Sequence, residues 1–138
     1  MPMRSFIFLC DLSTEQECLD RHLFGTNAGE NHQLHYSKVA VGDRLFLYNF
    51  EIGTLRGPFT ALTPCTYGLD PKAWKKTRRS FPWQVRVDSK GVSTVMLQAD
   101  DFATFIHLAQ TRIGLLPPPE LSDEQVAQLL TLLHAPSS

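Results

Sequence analysis

The amino-acid sequence predicts an α+β domain, a small β-barrel with flanking helices. Three observations indicate this fold. Gly42–Leu62 contains two apolar arms separated by a glycine-containing turn, as a β-hairpin does. Trp83–Val87 alternates between apolar and polar side chains, which is typical of a strand. Three further segments carry apolar residues at helical spacing and predict helices outside the barrel.

Length and composition are ordinary for a globular protein. The chain has 138 residues, of which 43% are hydrophobic and 20% are charged. Its net charge is −1, so any nucleic-acid contact would need a local basic patch. Three cysteines without Cys-x-x-Cys spacing predict reduced thiols and a cytoplasmic protein, or a nuclear one if it is eukaryotic. We expect one domain over residues 1–138, with a disordered tail from about residue 134 and no membrane span.

The first half of the chain predicts a strand, a helix and the hairpin. Ser5–Leu12 is rich in aromatic and branched residues, as strands are. A short helix that stops at Gly25 follows it, and two pairs at capping-box spacing could open this helix, Ser13 with Gln16 and Thr14 with Glu17. Gly25–His35 is a polar segment that predicts a loop. In the second arm of the hairpin, Pro58 predicts a bulge or a sheet edge.

The second half predicts a basic loop, two strands and two helices. Asp70–Lys76 has the composition of one helical turn with proline at its start. The strands are Trp83–Val87 and Val92–Leu97, and Asp100–Arg112 returns to helical spacing. The last helix opens with a second capping box, Ser122 with Gln125, and with a hydrophobic staple between Leu121 and Val126.

Six motifs that occur in one order resemble the DCD (development and cell death) domain. The resemblance covers about Ser5 to Leu133, and the sequence departs from the family pattern at Thr26-Asn27, Pro58 and Trp83. The six motifs are Phe6-Ile7-Phe8-Leu9-Cys10, Leu23-Phe24-Gly25, Leu45-Phe46-Leu47-Tyr48-Asn49-Phe50, Leu55-x-Gly57, Asp70-Pro71-x-Ala73-Trp74 and Phe81-Pro82-x-Gln84-Val85-Arg86-Val87.

This resemblance implies a PUA-like fold, a curved and partly closed β-barrel with flanking helices. DCD domains are similar in layout to YTH domains, which bind a modified base of RNA in an aromatic cage, and to EVE domains. By this analogy Trp74 corresponds to a cage tryptophan, and Tyr48 and Asn49 correspond to the strand that forms the floor of the pocket.

The basic segment around Trp74 is the first candidate for ligand binding. An aromatic ring among cations suits a nucleic acid, because a base stacks on the ring while phosphates meet the charges. The alternative is that Trp74 packs over one end of the barrel and the charges are solvated. The predicted phosphate-binding residues are Lys72, Lys75, Lys76, Arg78 and Arg79.

The two predicted strands supply the other candidate binding residues. Trp83 could stack on a base, or belong to the core or the barrel rim. Gln84 and Arg86, on the opposite face of the strand, could contact a polar ligand or pair with Asp or Glu. Asn49 and Gln84 could hydrogen-bond to base edges, and Tyr48 could add a stacking surface. For Tyr48 and Asn49 the alternative is that backbone groups satisfy the polar atoms.

The sequence therefore predicts a non-catalytic binding module that recognises RNA or a modified nucleobase, with modified DNA as a further partner. The alternative is a protein-interaction module in stress or cell-death signalling, whose docking surface is the C-terminal helix. An enzyme has little support, since His22 and His107 are the only remote candidates for catalysis. No cofactor is expected, and no metal site is expected because His32 and His35 lack a third ligand nearby.

Overall fold

The computed structural model describes residues 3–26, 35–74, 81–97, 109–111, 114–116 and 119–133. Its elements follow one another along the chain as ten strands, one 3-10 turn and two α-helices within this described part. They are β1 Ser5–Cys10, α1 Glu15–Arg21, β2 Leu23–Thr26, the 3-10 turn Tyr36–Lys38, β3 Arg44–Asn49, β4 Thr54–Ala61, β5 Thr66–Tyr67, β6 Trp83–Asp88, β7 Ser93–Met96, β8 Ala109–Thr111, β9 Gly114–Leu116, β10 Glu120–Leu121 and α2 Asp123–Leu133.

Eight of the strands form one mixed sheet in the order β10-β1-β3-β4-β6-β2, with β5 paired to β6 and β7 paired to β4. The β1–β3 pair is parallel, and the other pairs of this sheet are antiparallel. The described strands do not close into a complete barrel. The predicted α+β fold, a curved and partly closed barrel with flanking helices, is confirmed.

The sheet has a hydrophobic core on each face, and β3 contributes to both. Leu45 and Leu47 belong to the core that includes Phe8, Phe24 and Phe59. Phe46 and Tyr48, which alternate with them, belong to the second core beneath α2. This arrangement explains why the first hairpin arm is apolar at almost every position, as the sequence predicts for a strand that is covered on both faces.

The hairpin contains a β-bulge at Pro58, as the sequence predicts. Leu45 lies opposite Phe59 and Leu47 lies opposite Arg56, so one extra residue of β4 is accommodated between these pairs. Gly57 and Pro58 occupy that interval, and the peptide bond between them is cis. A side chain at Gly57 would overlap the ring of Phe46, which accounts for glycine at this position.

The start of α1 differs from the predicted capping box. Thr14 is the N-cap residue, but its side chain makes no capping hydrogen bond. Its hydroxyl instead accepts a bond of 3.0 Å from the Asp11 amide. The Asp11 carboxylate in turn accepts bonds from the amide and the hydroxyl of Ser13, at 2.9 and 2.6 Å. The prediction was wrong because a local Asp-centred turn takes the hydroxyls that the capping box needs.

Three predicted element boundaries also differ from the structure. The first helix ends at His22, which adopts a left-handed conformation with φ 50°, and Gly25 lies inside β2. Asp70–Trp74 forms a turn, closed by the Ala73 amide on the Asp70 carbonyl at 3.2 Å, and not a helical turn. Ala109–Thr111 is a strand and not the end of a helix. The rest of the predicted helix 100–112, most of the predicted loop 25–35 and the predicted tail lie outside the described residues.

The second capping box is confirmed. The Gln125 amide donates to the Ser122 hydroxyl at 3.2 Å, and the Ser122 amide donates to the Gln125 side-chain oxygen at 2.8 Å. Leu121 and Val126, the two residues of the predicted staple, are buried in the same core.

We expect Ser122→Ala to lower the free energy of unfolding by about 1 kcal/mol, because it leaves an amide of the first turn of α2 without its acceptor. Ser122→Asp keeps an acceptor at this position and should restore most of the loss. Urea denaturation of the three proteins measures the difference. Equal stability of the Ala and Asp variants would contradict the role of the cap.

Candidate functional site

Trp74 is a buried anchor in this structure. Its side chain is 3% exposed, and its backbone has a left-handed φ of 59°. The ring meets Phe81 edge to face, with centroids 5.3 Å apart. It also lies directly over Gly25, where a Cβ would come within 2.6 Å of the Trp74 Cη2 atom. Gly25 is therefore the residue that makes room for the indole.

Helix α1 holds the backbone of this anchor. The Trp74 amide donates a hydrogen bond of 2.6 Å to the Glu17 carboxylate. The indole Nε1 donates to the carbonyl of Thr14 at 3.4 Å. Since both acceptors lie at the start of α1, the ring and the backbone of Trp74 are fixed by the same helix. A buried ring held in this way presents no face on which a base could stack.

Gln84 ties the turn that carries Trp74 to strand β6. The Asp70 amide donates to the Gln84 side-chain oxygen at 2.7 Å. The Gln84 side-chain nitrogen donates to the carbonyls of Asp70 and Phe81, at 3.2 and 3.1 Å. The oxygen and the nitrogen of this buried amide are thus both hydrogen-bonded to backbone groups. Gln84 holds the protein together at this point and offers no free edge to a ligand.

One ion pair, between Arg21 and Asp70, joins the same turn to α1, and a second pair, between Arg21 and Glu17, lies within the helix. The Arg21 guanidinium contacts the Asp70 carboxylate at 2.8 Å and the Glu17 carboxylate at 3.1 Å. Desolvation raises the pKa of Asp70, but hydrogen bonds from the Lys72 amide and from Arg21 outweigh it, and the pKa is lowered from its ordinary value. Asp70 therefore stays ionised at neutral pH and keeps its bond to Arg21.

Tyr48 and Asn49 do not face a common pocket. They are consecutive on β3 and project to opposite faces of the sheet. The Tyr48 hydroxyl donates to the Leu97 carbonyl at 3.4 Å in the core beneath α2. Asn49 is completely buried, and its side-chain oxygen accepts a bond of 3.1 Å from the Glu51 amide. Its side-chain nitrogen finds no hydrogen-bond partner among the described residues.

Trp83 is the tryptophan that remains partly exposed. It is the first residue of β6 and shares one face of this strand with Val85 and Val87. Tyr67, on the neighbouring strand β5, is its direct partner in the sheet and is 66% exposed. The two rings meet edge to face with centroids 5.4 Å apart. We call these two residues the aromatic pair.

The sequence analysis missed Tyr67. The only sequence signal is one aromatic residue within the turn-rich stretch 63–68, which is too short and too polar to predict a strand. Its importance comes from the pairing of β5 with β6, which places it beside Trp83.

The predicted cations are only partly described. Lys72 is exposed, and its amide donates to the Asp70 carboxylate at 3.0 Å. Arg86 is exposed on the face of β6 that also carries Gln84, where it adds positive charge near Asp70. The other four predicted phosphate-binding residues lie outside the described residues, and their role stays a prediction: Lys75, Lys76, Arg78 and Arg79.

Other chemistry-bearing groups do not assemble into a site. The three cysteines carry free thiols, and burial raises the pKa of Cys18 to about 12 and that of Cys65 to about 11, so both are protonated at neutral pH. Within the described ranges, no three His, Cys, Asp or Glu side chains lie close enough to hold a metal ion. No helix in that same part of the chain has the length and hydrophobicity needed to cross a bilayer.

The fold is similar to that of YTH domains. The YTH domain of the Zygosaccharomyces rouxii MRB1 protein, solved in complex with N6-methyladenosine RNA, superposes with a TM-score of 0.64 at 15% sequence identity, over 99% of this chain and 90% of that one. The YTH domain-containing protein mmi1, solved in complex with RNA, gives a TM-score of 0.63 at 16% identity, over 95% and 81% of the two chains. At such low identity the likeness shows a shared fold.

The sequence then gives the family. Residues 4–133 match the development and cell death domain, and the chain belongs to this family. It is 33% identical over 106 residues to the B2 protein of Daucus carota and 32% identical over 106 residues to the DCD domain-containing protein NRP-B of Glycine max. The match covers 74% of this chain but only 50% and 31% of those two proteins, so the chain spans half or less of their length. The resemblance noted in the sequence is confirmed.

The contact between Gly25 and Trp74 can be tested by a double-mutant cycle. We expect Gly25→Ala to lower the free energy of unfolding by about 1–3 kcal/mol, because the new methyl group meets the indole. In a Trp74→Phe background, which lacks the clashing Cη2 and Cζ3 atoms, the same change should cost clearly less. Chemical denaturation measures the four proteins. An equal cost in both backgrounds would contradict the assigned contact.

The Arg21–Asp70 pair predicts a pH dependence. Because the folded pKa of Asp70 is lowered, its contribution to stability is complete above the ordinary carboxyl pKa of about 4 and is lost as the pH falls through the folded value. The Asp70→Asn variant should therefore lose less stability than the wild type on acidification. The Arg21→Gln variant should also lose less stability than the wild type over the same pH range. Thermal unfolding as a function of pH tests this. A variant curve parallel to the wild type would contradict it.

Proposed function

We propose that this domain is a non-catalytic module that binds single-stranded RNA at the aromatic pair, with a preference for a modified nucleobase. The observation that carries the proposal is the contact of the exposed Tyr67 with the partly exposed Trp83 at the start of β6. The shared fold with YTH domains solved in complex with RNA supports it.

The geometry of the pair suits a flat ligand. The rings meet edge to face at 78° to one another, and Tyr67 is 66% exposed, so aromatic surface of the pair is open to a flat ligand. A base that stacks on such a ring contributes about 1–3 kcal/mol in single-strand binders, and every base has a face that can stack. Bulky modification of a base adds apolar area to the contact without removing this face.

Positive charge adjoins the pair on the chain. Lys72 is exposed on the turn Asp70–Trp74, and Arg86 is exposed on β6. The predicted basic residues 75–79 come directly after Trp74 in the sequence. With a net charge of −1 over the chain, the attraction for phosphates would have to come from a local group of cations such as this one. In the proposal, Lys72 and this basic segment contact the phosphates beside the stacked base, whereas Arg86 lies on the opposite face of β6 from Trp83.

The buried residues take a supporting role in this proposal. Trp74 and Gln84 fix the turn that leads into the basic segment, and they act as positioning residues. The stacking predicted for Trp74 and Tyr48, and the base-edge contacts predicted for Asn49 and Gln84, would require these side chains to leave the cores and backbone bonds that hold them. Trp83 therefore remains as the predicted stacking residue that is accessible without such a rearrangement.

The alternative function as a protein-interaction module gains no support from α2. Its apolar residues Val126, Leu129 and Leu133 are buried against the sheet. The large hydrophobic residues that are exposed lie elsewhere in the described part of the chain. The helix therefore already uses its apolar face to complete the second core.

Binding to short single-stranded RNA, measured by fluorescence anisotropy, tests the proposal. We expect Trp83→Ala and Tyr67→Ala each to weaken binding by about 5- to 150-fold, which corresponds to the loss of one stacked base. Trp83→Phe should retain most of the affinity. Met96→Ala, which removes a side chain that is 61% exposed elsewhere, is the matched control and should bind as the wild type does.

The same assay separates the parts of the proposal. Affinity should fall with rising salt, because phosphate contacts release counterions. RNA that carries N6-methyladenosine should bind more tightly than the unmodified strand. Absence of binding at low salt, or equal affinity of the Trp83→Ala and Met96→Ala variants, would overturn the proposed function.

A further inference from the structure

A groove of about 540 Å³ lies at the end of β1 opposite to the Trp74 turn. It is formed by residues that precede β1, by the end of the 3-10 turn and by the loop that leads into β3. The residues that matter for binding are Met3, Arg4, Lys38, Ala40, Val41 and Asp43. We propose that this groove binds a short, extended, acidic peptide segment that carries an aliphatic side chain and belongs to a partner protein.

The floor of the groove is fixed by Asp43. Its carboxylate accepts hydrogen bonds from the amides of Arg4 and Ala40, at 3.1 and 2.8 Å, and its side chain is 5% exposed. These bonds join the loop before β3 to the segment before β1. The groove is therefore preformed, and a ligand would not have to order these segments on binding.

Two cations at the groove have unused hydrogen-bonding capacity. The Arg4 guanidinium and the Lys38 ammonium are about half exposed and share a single carboxylate, that of Glu120, at 3.3 and 3.7 Å. A guanidinium has five N–H donors and an ammonium has three, so one carboxylate leaves most of them to solvent. Ion pairs this exposed contribute little, and an incoming carboxylate can share or replace them.

Glu120 is an acidic residue of the chain itself that already pairs with the two cations of the groove. It lies on the short strand β10, which pairs antiparallel with β1 and places Glu120 opposite Phe6. Its carboxylate reaches Arg4 and Lys38 and comes within 3.9 Å of the His35 ring. An extended backbone with an acidic side chain is thus already bound beside the groove, followed by an aliphatic residue, Leu121.

The apolar part of the groove distinguishes a peptide from a nucleic acid. Met3 and Val41 are 50% and 66% exposed and offer a contact for an aliphatic side chain. The described residues that line the groove include no aromatic ring on which a base could stack. Its volume lies in the range of sites that enclose a small ligand or a few peptide residues.

Titration of the isotope-labelled domain with the acetylated peptide Asp-Leu-Glu-Asp, followed by NMR, tests this proposal. We expect saturable shifts at the amides of Arg4, Lys38 and Val41. Arg4→Gln and Lys38→Gln should each weaken binding about fivefold. Replacement of the peptide leucine by serine should also weaken it. Lys90→Gln, which removes an exposed cation from the β6–β7 turn, should leave the affinity unchanged.

Three results would overturn the proposal. They are the absence of saturable binding at millimolar peptide, binding of the serine peptide as tight as that of the leucine peptide, and equal shifts of the groove amides by inorganic phosphate or by a short oligonucleotide. RNA binding at the aromatic pair depends on neither Arg4 nor Lys38, so this test is independent of the proposed function.

Discussion

The packing and hydrogen bonding of the buried Trp74 side chain are the constraint on which this end of the molecule depends. The indole fills the space that the absent side chain of Gly25 leaves, Glu17 and Thr14 take its two N–H groups, and Gln84 clamps the preceding turn. A buried donor without its acceptor costs about 1–3 kcal/mol, so removal of any one of these partners leaves a penalty at the others. Helix α1, β2, β6 and the turn at Asp70 are therefore held as one unit.

The bonds within this unit determine which side chains remain accessible to a ligand. The side chains of Trp74 and Gln84 are buried and bonded within the protein, whereas β6 begins with Trp83, which lies beside Tyr67. The turn that Gln84 clamps leads directly into the basic segment of the sequence. Accessible aromatic rings on a strand, with cations nearby in the sequence, suit stacking on single-stranded nucleic acid. The buried tryptophan thus serves the proposed function by position and not by contact.

Much of the fold could be predicted from the sequence, because local patterns determine it. The hairpin, the bulge at Pro58 and the capping box at Ser122 depend on residues close together in the chain. The first capping box and the end of α1 were wrong, since Asp11 competes for the hydroxyls and His22 adopts the left-handed conformation in place of a glycine. Within the site, the burial of Trp74 over Gly25 and the pairing of Tyr67 with Trp83 join residues distant in sequence. No spacing rule indicates them.

The most direct test is fluorine NMR of the protein labelled with fluorotryptophan, because the chain has only two tryptophans. Single Trp→Phe variants assign the two signals. On addition of single-stranded RNA, the signal of Trp83 should shift with saturation, while that of Trp74 stays in place and shielded from solvent. A shift confined to Trp74, with increased solvent exposure of its ring, would show that the indole leaves its buried position over Gly25 to bind the ligand, and would contradict this account.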